Sequence, residues 1–273
     1  GQPHSSWLYF SSKGHLLTLI SYKFGVKDGN YAEYFKNSDQ IKLQGIFTNG
    51  SKHGLWSSWF KNGLKKSEGR FEYGLQNGKA SYWYDYLIGD KPVFKMFGEY
   101  LFGKKNGLWI SFYRNGNRQV AQTFSFDRLH GEVYYFYEVG RLKGKANFYQ
   151  GIKHGVEEFY YPNETVEKQR EYKQGILEGI ETTYYSNGNK AYEGEFFLGQ
   201  RIGKWIWYHA QTEDVIKESF FENGSGNWYV FNEEGILREE SYYNKGVLSG
   251  EHKTFYENLT LKVKDRYLHG VLS

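Results

Sequence analysis

A glycine returns at intervals close to 24 residues along the whole chain. Ser5 holds its place first, followed by Gly29, Gly54, Gly78, Gly107, Gly131, Gly155, Gly179, Gly203, Gly226 and Gly250. Five residues after each opener stands an aromatic: Phe10, Tyr34, Trp59, Trp83, Phe112, Phe136, Tyr160, Tyr184, Tyr208, Phe231 and Phe255. A second aromatic column follows, Tyr22, Phe47, Phe71, Tyr100, Phe124, Phe148, Tyr172, Phe196, Phe221, Tyr243 and Tyr267, and a glycine lies three residues beyond all of these but Phe124, where Asp127 stands. A unit this short cannot bury its own faces, so it is stable only when stacked on copies of itself. The period slips by one residue at Gly29–Gly54 and at Gly203–Gly226, and stretches to 29 residues between Gly78 and Gly107.

The stretch from His53 to Gly78 is the template copy. Asn62-Gly63 sits between two aromatic-bearing segments, the pattern of a two-residue hairpin turn with positive φ at both positions. That turn pairs Phe60 with Lys65, Trp59 with Lys66, Ser58 with Ser67 and Trp56 with Gly69, and sets the Trp56 ring over Gly69. With glycine punctuating every segment, no helix is required. The expected fold is all-β: an elongated, twisted, single-layer antiparallel sheet of about eleven tandem hairpins, forming one domain over residues 1–273. At about 4.8 Å between strands, twenty-two strands extend on the order of 100 Å, and the terminal strand edges are open to self-association.

With 20% aromatic residues and 33 glycines against three prolines and one methionine, the rings themselves must be the core. The two unbroken columns are the natural candidates. The position two after each opener is less regular, carrying Trp7, Trp56, Trp109, Trp205 and Trp228 in some copies and Ala80, Val133, Glu157, Glu181 and His252 in others. Its tryptophans are therefore expected on a partner surface. The long fourth interval holds an insertion from Tyr86 to Phe94. Pro92 cannot donate to a central ladder, so the segment is expected as a longer projecting turn, with Tyr86, Lys91 and Phe94 as partner contacts.

Little here suggests chemistry. With no cysteine there is no disulfide framework, cysteine-zinc site or thiol nucleophile. His130 and His154 precede adjacent openers, but two ligands two strand spacings apart do not make a zinc site. The pairs Glu157-Glu158, Glu233-Glu234 and Glu239-Glu240 alternate faces on a strand and do not converge. Phosphate-binding, nucleophile-elbow and zinc-protease motifs are missing. No catalytic, cofactor-binding or metal-binding residue is therefore assigned, and an enzyme is not expected. No segment approaches the roughly 20 apolar residues of a spanning helix, no signal-peptide core is visible, and a net charge of +4 spread along the chain is mild for nucleic acid.

The motif Gly-x-Trp-x-x-aromatic-aromatic, then Asn-Gly, then Tyr/Phe-x-x-Gly resembles the variant MORN repeat (membrane occupation and recognition nexus) in eleven copies. The resemblance implies a long antiparallel sheet of successive hairpins curved like a half-pipe. It implies no single activity; bacterial members include exported 24-residue-repeat proteins and proteins assigned as antitoxins. The expected function is a non-catalytic scaffold that binds a protein partner, either exported to the periplasm or cell surface or of antitoxin/immunity type. Phospholipid-surface binding, and single-stranded nucleic-acid or glycan binding through surface aromatics, are the alternatives.

Overall fold

The computed structural model describes residues 5–273. Those residues form twenty-four strands and no helix. Two compact units divide the chain, the first ending at Gly140 and the second running from Arg141 to Ser273. In the first, the strands from Ser5–Phe10 to Arg128–Phe136 make one antiparallel meander in which each strand pairs with its chain neighbours. In the second, one meander runs from Leu142–Tyr149 to Val215–Phe221 and another from Gly226–Phe231 to Val271–Leu272. The ladder is interrupted where the period shortens before Gly226, and the isolated bridge Glu222↔Ser225 stands between the two runs.

The hairpin reading holds, but its two turns exchange roles. Tyr73 and Gly74 both take positive φ (48° and 83°) and close a two-residue turn between Glu72 and Leu75. This type I′ geometry, whose twist matches that of the flanking strands, recurs at Phe102-Gly103 and Lys245-Gly246, and at Phe126-Asp127 without glycine. At Asn62-Gly63 only the glycine has positive φ (88°); Gly63 N–H donates to Phe60 O at 3.0 Å and Phe60 N–H to Leu64 O at 2.8 Å. That is a type I turn followed by a left-handed glycine, a three-residue connection. Ser58↔Ser67 and Trp56↔Gly69 pair as expected, but Trp59 faces Lys65 rather than Lys66.

Asn62 is therefore selected for its side chain and not for its φ. Its Oδ1 accepts from Leu64 N–H at 3.1 Å and its Nδ2 donates to Asp85 O in the next copy at 2.6 Å. Asn115, Asn163 and Asn187 repeat the bond to Glu138 O, Ser186 O and Ala210 O. The tyrosine two residues earlier makes a parallel staple: Tyr113, Tyr161 and Tyr185 donate to Phe136 O, Tyr184 O and Tyr208 O at 2.8, 2.8 and 3.0 Å. Each bond satisfies a carbonyl at the end of the neighbouring hairpin. Tyr185→Phe and Asn187→Ala are each expected to cost about 1 kcal/mol, read as a lower urea midpoint with an unchanged slope.

The most buried row is not either aromatic column. It is the irregular position, where Trp56, Ala80, Trp109, Val133, Glu157, Glu181 and Trp205 are all at most 4% exposed. The column five after each opener is half-buried almost throughout, and Phe10 is 56% exposed. Three of the core tryptophans lie over a glycine of the preceding hairpin: a Cβ on Gly45 would fall 2.2 Å from the Trp56 ring, on Gly98 2.2 Å from Trp109, and on Gly194 2.1 Å from Trp205. Trp56 thus pairs with Gly69 but covers Gly45. A cation four residues upstream caps the ring, with Lys52 Nζ 4.3 Å from Trp56, Lys105 Nζ 4.7 Å from Trp109 and the Arg201 guanidinium 5.5 Å from Trp205.

Copies seven and eight carry carboxylates in that row. Lys153, placed like Lys52 and Lys105, pairs with Glu157 at 2.5 Å, and Arg170 Nε donates to Glu157 at 2.7 Å. Arg170 also stands 3.8 Å from Glu181, which has Lys168 at 3.8 Å. An ion ladder therefore occupies the place that indole rings fill elsewhere.

Candidate functional site

Register determines which side chains line the accessible face. Two residues along the strands from the core row runs a second row on the same face. In the first unit it reads Leu43, Ser58, Ser67, Tyr82 across four neighbouring strands. In the second it reads Phe159, Lys168, Thr183, Tyr192, Trp207. Both rows are floors of grooves whose walls are the residues next to the Asn-Gly turns.

In the first unit, two adjoining concavities of about 390 and 380 Å³ share Phe60 and Lys66. One is lined by Glu33, Phe35, Lys42, Leu43, Ser58, Trp59 and Lys61, and the other by Ser67, Tyr82, Trp83, Tyr84, Asp85, Lys95 and Arg114. The second unit has one larger concavity of about 520 Å³, lined by Tyr161, Tyr184, Tyr185, Tyr192, Trp207, Trp228, Tyr229 and Phe231, with Glu233 as its charged group. Glu233 accepts from Ser186 Oγ at 3.2 Å. Burial raises the Tyr161 and Tyr185 phenols above their ordinary range, and the Glu233 charge adds to the effect. These tyrosines remain neutral donors at any physiological pH, holding the groove wall through their staples.

The hairpin that carries the insertion supplies Tyr82, Trp83, Tyr84, Asp85 and Lys95 to the lining of the first groove, on either side of the inserted residues. Rather than projecting as a turn, the insertion lengthens the hairpin: Leu75–Ile88 and Lys91–Leu101 are strands, Ile88 pairs with Lys91, and Pro92 lies opposite Leu87 near the tip. Pro92 is tolerated there because the ladder is already irregular between Trp83 and Leu87. Tyr86 stacks on Tyr84 with centroids 5.6 Å apart and donates its hydroxyl to Arg114 O; Tyr84 donates to Phe112 O at 2.9 Å. The Arg114 guanidinium lies 4.8 Å from the Tyr86 ring and 3.6 Å from Asp85. Burial, reinforced by Tyr86 and partly offset by Arg114, raises the Tyr84 phenol.

The residues expected at a partner surface fall into two groups. Tyr86, Lys91 and Phe94 lie together on the lengthened hairpin; Lys91 is exposed and Phe94 is 38% exposed with its ring stacked on Trp83. Trp56, Trp109, Trp205 and Trp228 do not join them. At 3%, 1%, 0% and 9% exposure they are core, because each ring covers backbone that has no side chain or packs in an aromatic cluster. Trp7, on the first strand, is 48% exposed. Sequence reasoning missed the floor row and the stapling tyrosines. The recurrence of Tyr113, Tyr161 and Tyr185 with an Asn two residues later was the available signal. Among the described residues no three His, Asp or Glu side chains gather closely enough to hold a metal ion.

A floor row fixed by hairpin register, walled by turn residues that recur from copy to copy, defines a tandem β-hairpin repeat scaffold. Three stretches, residues 105–125, 153–174 and 177–197, match the family model described as MORN repeat variant. No curated protein matches the chain. Among solved structures, a crystal structure titled TcdB2-TccC3-Cdc42 aligns with 96% of this chain at 10% identity and a TM-score of 0.20. The Photorhabdus luminescens Tc holotoxin pore aligns with 96% at 8% identity and a TM-score of 0.18. This chain spans only 14% and 18% of those chains, and at such scores the likeness carries no argument.

Proposed function

We infer that this repeat protein is a non-catalytic scaffold that captures a protein partner in the grooves beside its Asn-Gly turns. The observation that carries this reading is the construction of those grooves. Their floors are set by strand register, and their tyrosine walls are tied to backbone carbonyls of the next hairpin, so the surface is preorganised and loses little side-chain entropy on binding. Tyrosine, tryptophan and phenylalanine, which dominate the lining of the second unit's groove, are also enriched at protein interfaces. An exported role or an antitoxin/immunity role suits such a scaffold. Affinity capture from the source organism, with the neighbouring gene product tried first, tests the reading. A specific protein partner in the eluate supports it; nucleic acid or lipid alone in the eluate overturns it.

The insertion belongs to this reading. Excising Leu87 to Lys91 removes the hairpin tip and leaves the stapled base in place. Circular dichroism and the unfolding midpoint are expected to stay unchanged while partner capture falls; undiminished capture removes the insertion from the interface.

A further inference from the structure

The first unit's groove has a charge that its own side chains do not balance. Its lining holds five cations, Lys42, Lys61, Lys66, Lys95 and Arg114, against two carboxylates, Glu33 and Asp85. The carboxylates are already engaged: Glu33 with Lys42 at 2.7 Å and Asp85 with Arg114 at 3.6 Å. Lys61, Lys66 and Lys95 have no carboxylate within ion-pair distance among the described residues, and Lys66 Nζ lies 5.8 Å from the centroid of the Phe60 ring. The whole chain carries a formal net charge of only +4, so most of that excess is gathered in one groove.

We propose that this groove binds an acidic peptide segment of a partner protein, its carboxylates meeting Lys61, Lys66 and Lys95 and its apolar side chains seated between Phe60, Trp83 and Tyr82. The proposal rests on the scaffold reading and names the chemistry of its partner. The dimensions fit. The floor from Leu43 to Tyr82 crosses four strands, about 14 Å, which an extended chain covers with about four to five residues. The aromatic lining favours a peptide over single-stranded nucleic acid. Base binding needs open ring faces, and here the Trp83 ring is stacked on Phe94, Tyr84 is stacked on Tyr86, and Arg114 lies over both tyrosines. The fixed carboxylates of Glu33 and Asp85 also interrupt the run of positive charge. A uniformly charged phosphate backbone meets repulsion at both places, whereas a peptide places neutral residues opposite them.

The test uses the full chain and three fluorescein-labelled probes: a peptide of about eight residues alternating Glu and Leu, the same peptide with Lys for Glu, and an oligodeoxythymidine of similar length. Anisotropy is expected to show binding of the acidic peptide, weakened by raising salt, and no binding of the basic one. The triple substitution Lys61→Glu, Lys66→Glu and Lys95→Glu is expected to reduce that affinity at least about tenfold, since three exposed pairs of several tenths of a kcal/mol each turn repulsive. All three lysines are exposed, so near-ultraviolet circular dichroism is expected to be unchanged. Equal affinity for the basic peptide, an unaffected triple variant, or tighter binding of the oligonucleotide each overturns the proposal. If the wild-type chain and the triple variant capture the same cellular partner equally, the groove assignment fails while the scaffold reading stands. If neither captures a protein, the scaffold reading itself has failed.

Discussion

Trp205→Ala is expected to lower the stability of the second unit by about 4 kcal/mol, within the range for removing a fully buried indole. The ring is completely buried and is the hub of a cluster: Phe196 packs edge-on at 5.3 Å, Trp228 at 5.2 Å and Phe221 at 6.1 Å. Its other face covers Gly194, which offers no side chain to fill the space the ring leaves. Arg201 makes the loss worse. Its guanidinium is held among Trp228, Tyr243, Trp205, Phe196 and Phe221, and its buried Nε has no hydrogen-bond partner. Burial lowers the Arg201 pKa, so the charge depends on the rings for what water would otherwise supply.

The reciprocal substitution isolates the packing. Gly194→Ala adds one methyl group that meets the indole at 2.1 Å, and an overpacked site of this kind costs typically about 1–3 kcal/mol. Placing both changes in one chain relieves the clash, so the double variant is expected to be less destabilised than the sum of the two. Urea unfolding followed by circular dichroism measures the cycle; strict additivity shows that ring and glycine are not coupled. Trp205 Nε1 has no acceptor, while Trp56 and Trp109 donate to Ile46 O and Glu99 O at 3.1 and 3.0 Å. Trp205→Phe therefore sacrifices less than Trp109→Phe, which leaves the Glu99 carbonyl without its bond.

This coupling explains what the sequence concealed. The strand pairs and their order were legible because the opener glycines and the two aromatic columns keep constant spacing. The core was not, because its row varies in identity. The variation is compensated across the ladder: Trp56, Trp109 and Trp205 face glycines, Val133 pairs with Gln122, Glu157 with Ala146, and His252 with Ser241, to which it is hydrogen-bonded at 2.9 Å. Regularity marked the half-exposed rims, and the buried row was recognisable only from pairs of positions 11 residues apart. The Asn-Gly dipeptide misled for a related reason. Both hairpin types place glycine at a left-handed position, so the dipeptide fixes the presence of a turn but not its length. The groove floor was illegible because no one residue type marks it: Ser58, Tyr82, Thr183 and Trp207 all differ, and only their register unites them.

Glu157→Ala is expected to be the most damaging change of a charged residue, at about 3 kcal/mol. Removing one partner of a buried ion pair typically costs about 3–5 kcal/mol because it strands the other charge, and the lower end applies here because Lys153 and Arg170 keep side-chain exposures of 33% and 23%. Glu157 itself is 4% exposed. Burial alone would push its pKa up, but the hydrogen bonds and charges of Lys153 and Arg170 outweigh that and hold it below the ordinary carboxylate range. The sign of the pH dependence follows. A group with a depressed folded pKa contributes stability that is complete above its unfolded value, near 4.3, and is lost as pH falls through the folded value. Glu157→Gln keeps the shape, supplies one hydrogen-bond acceptor and cannot titrate. Compared at pH 7 and near pH 3, the wild-type chain is expected to lose more stability than Glu157→Gln, and the gap between them to narrow on acidification. A gap that stays constant over that interval shows that Glu157 does not take up its proton with unfolding, and the ion ladder is then a packing element only.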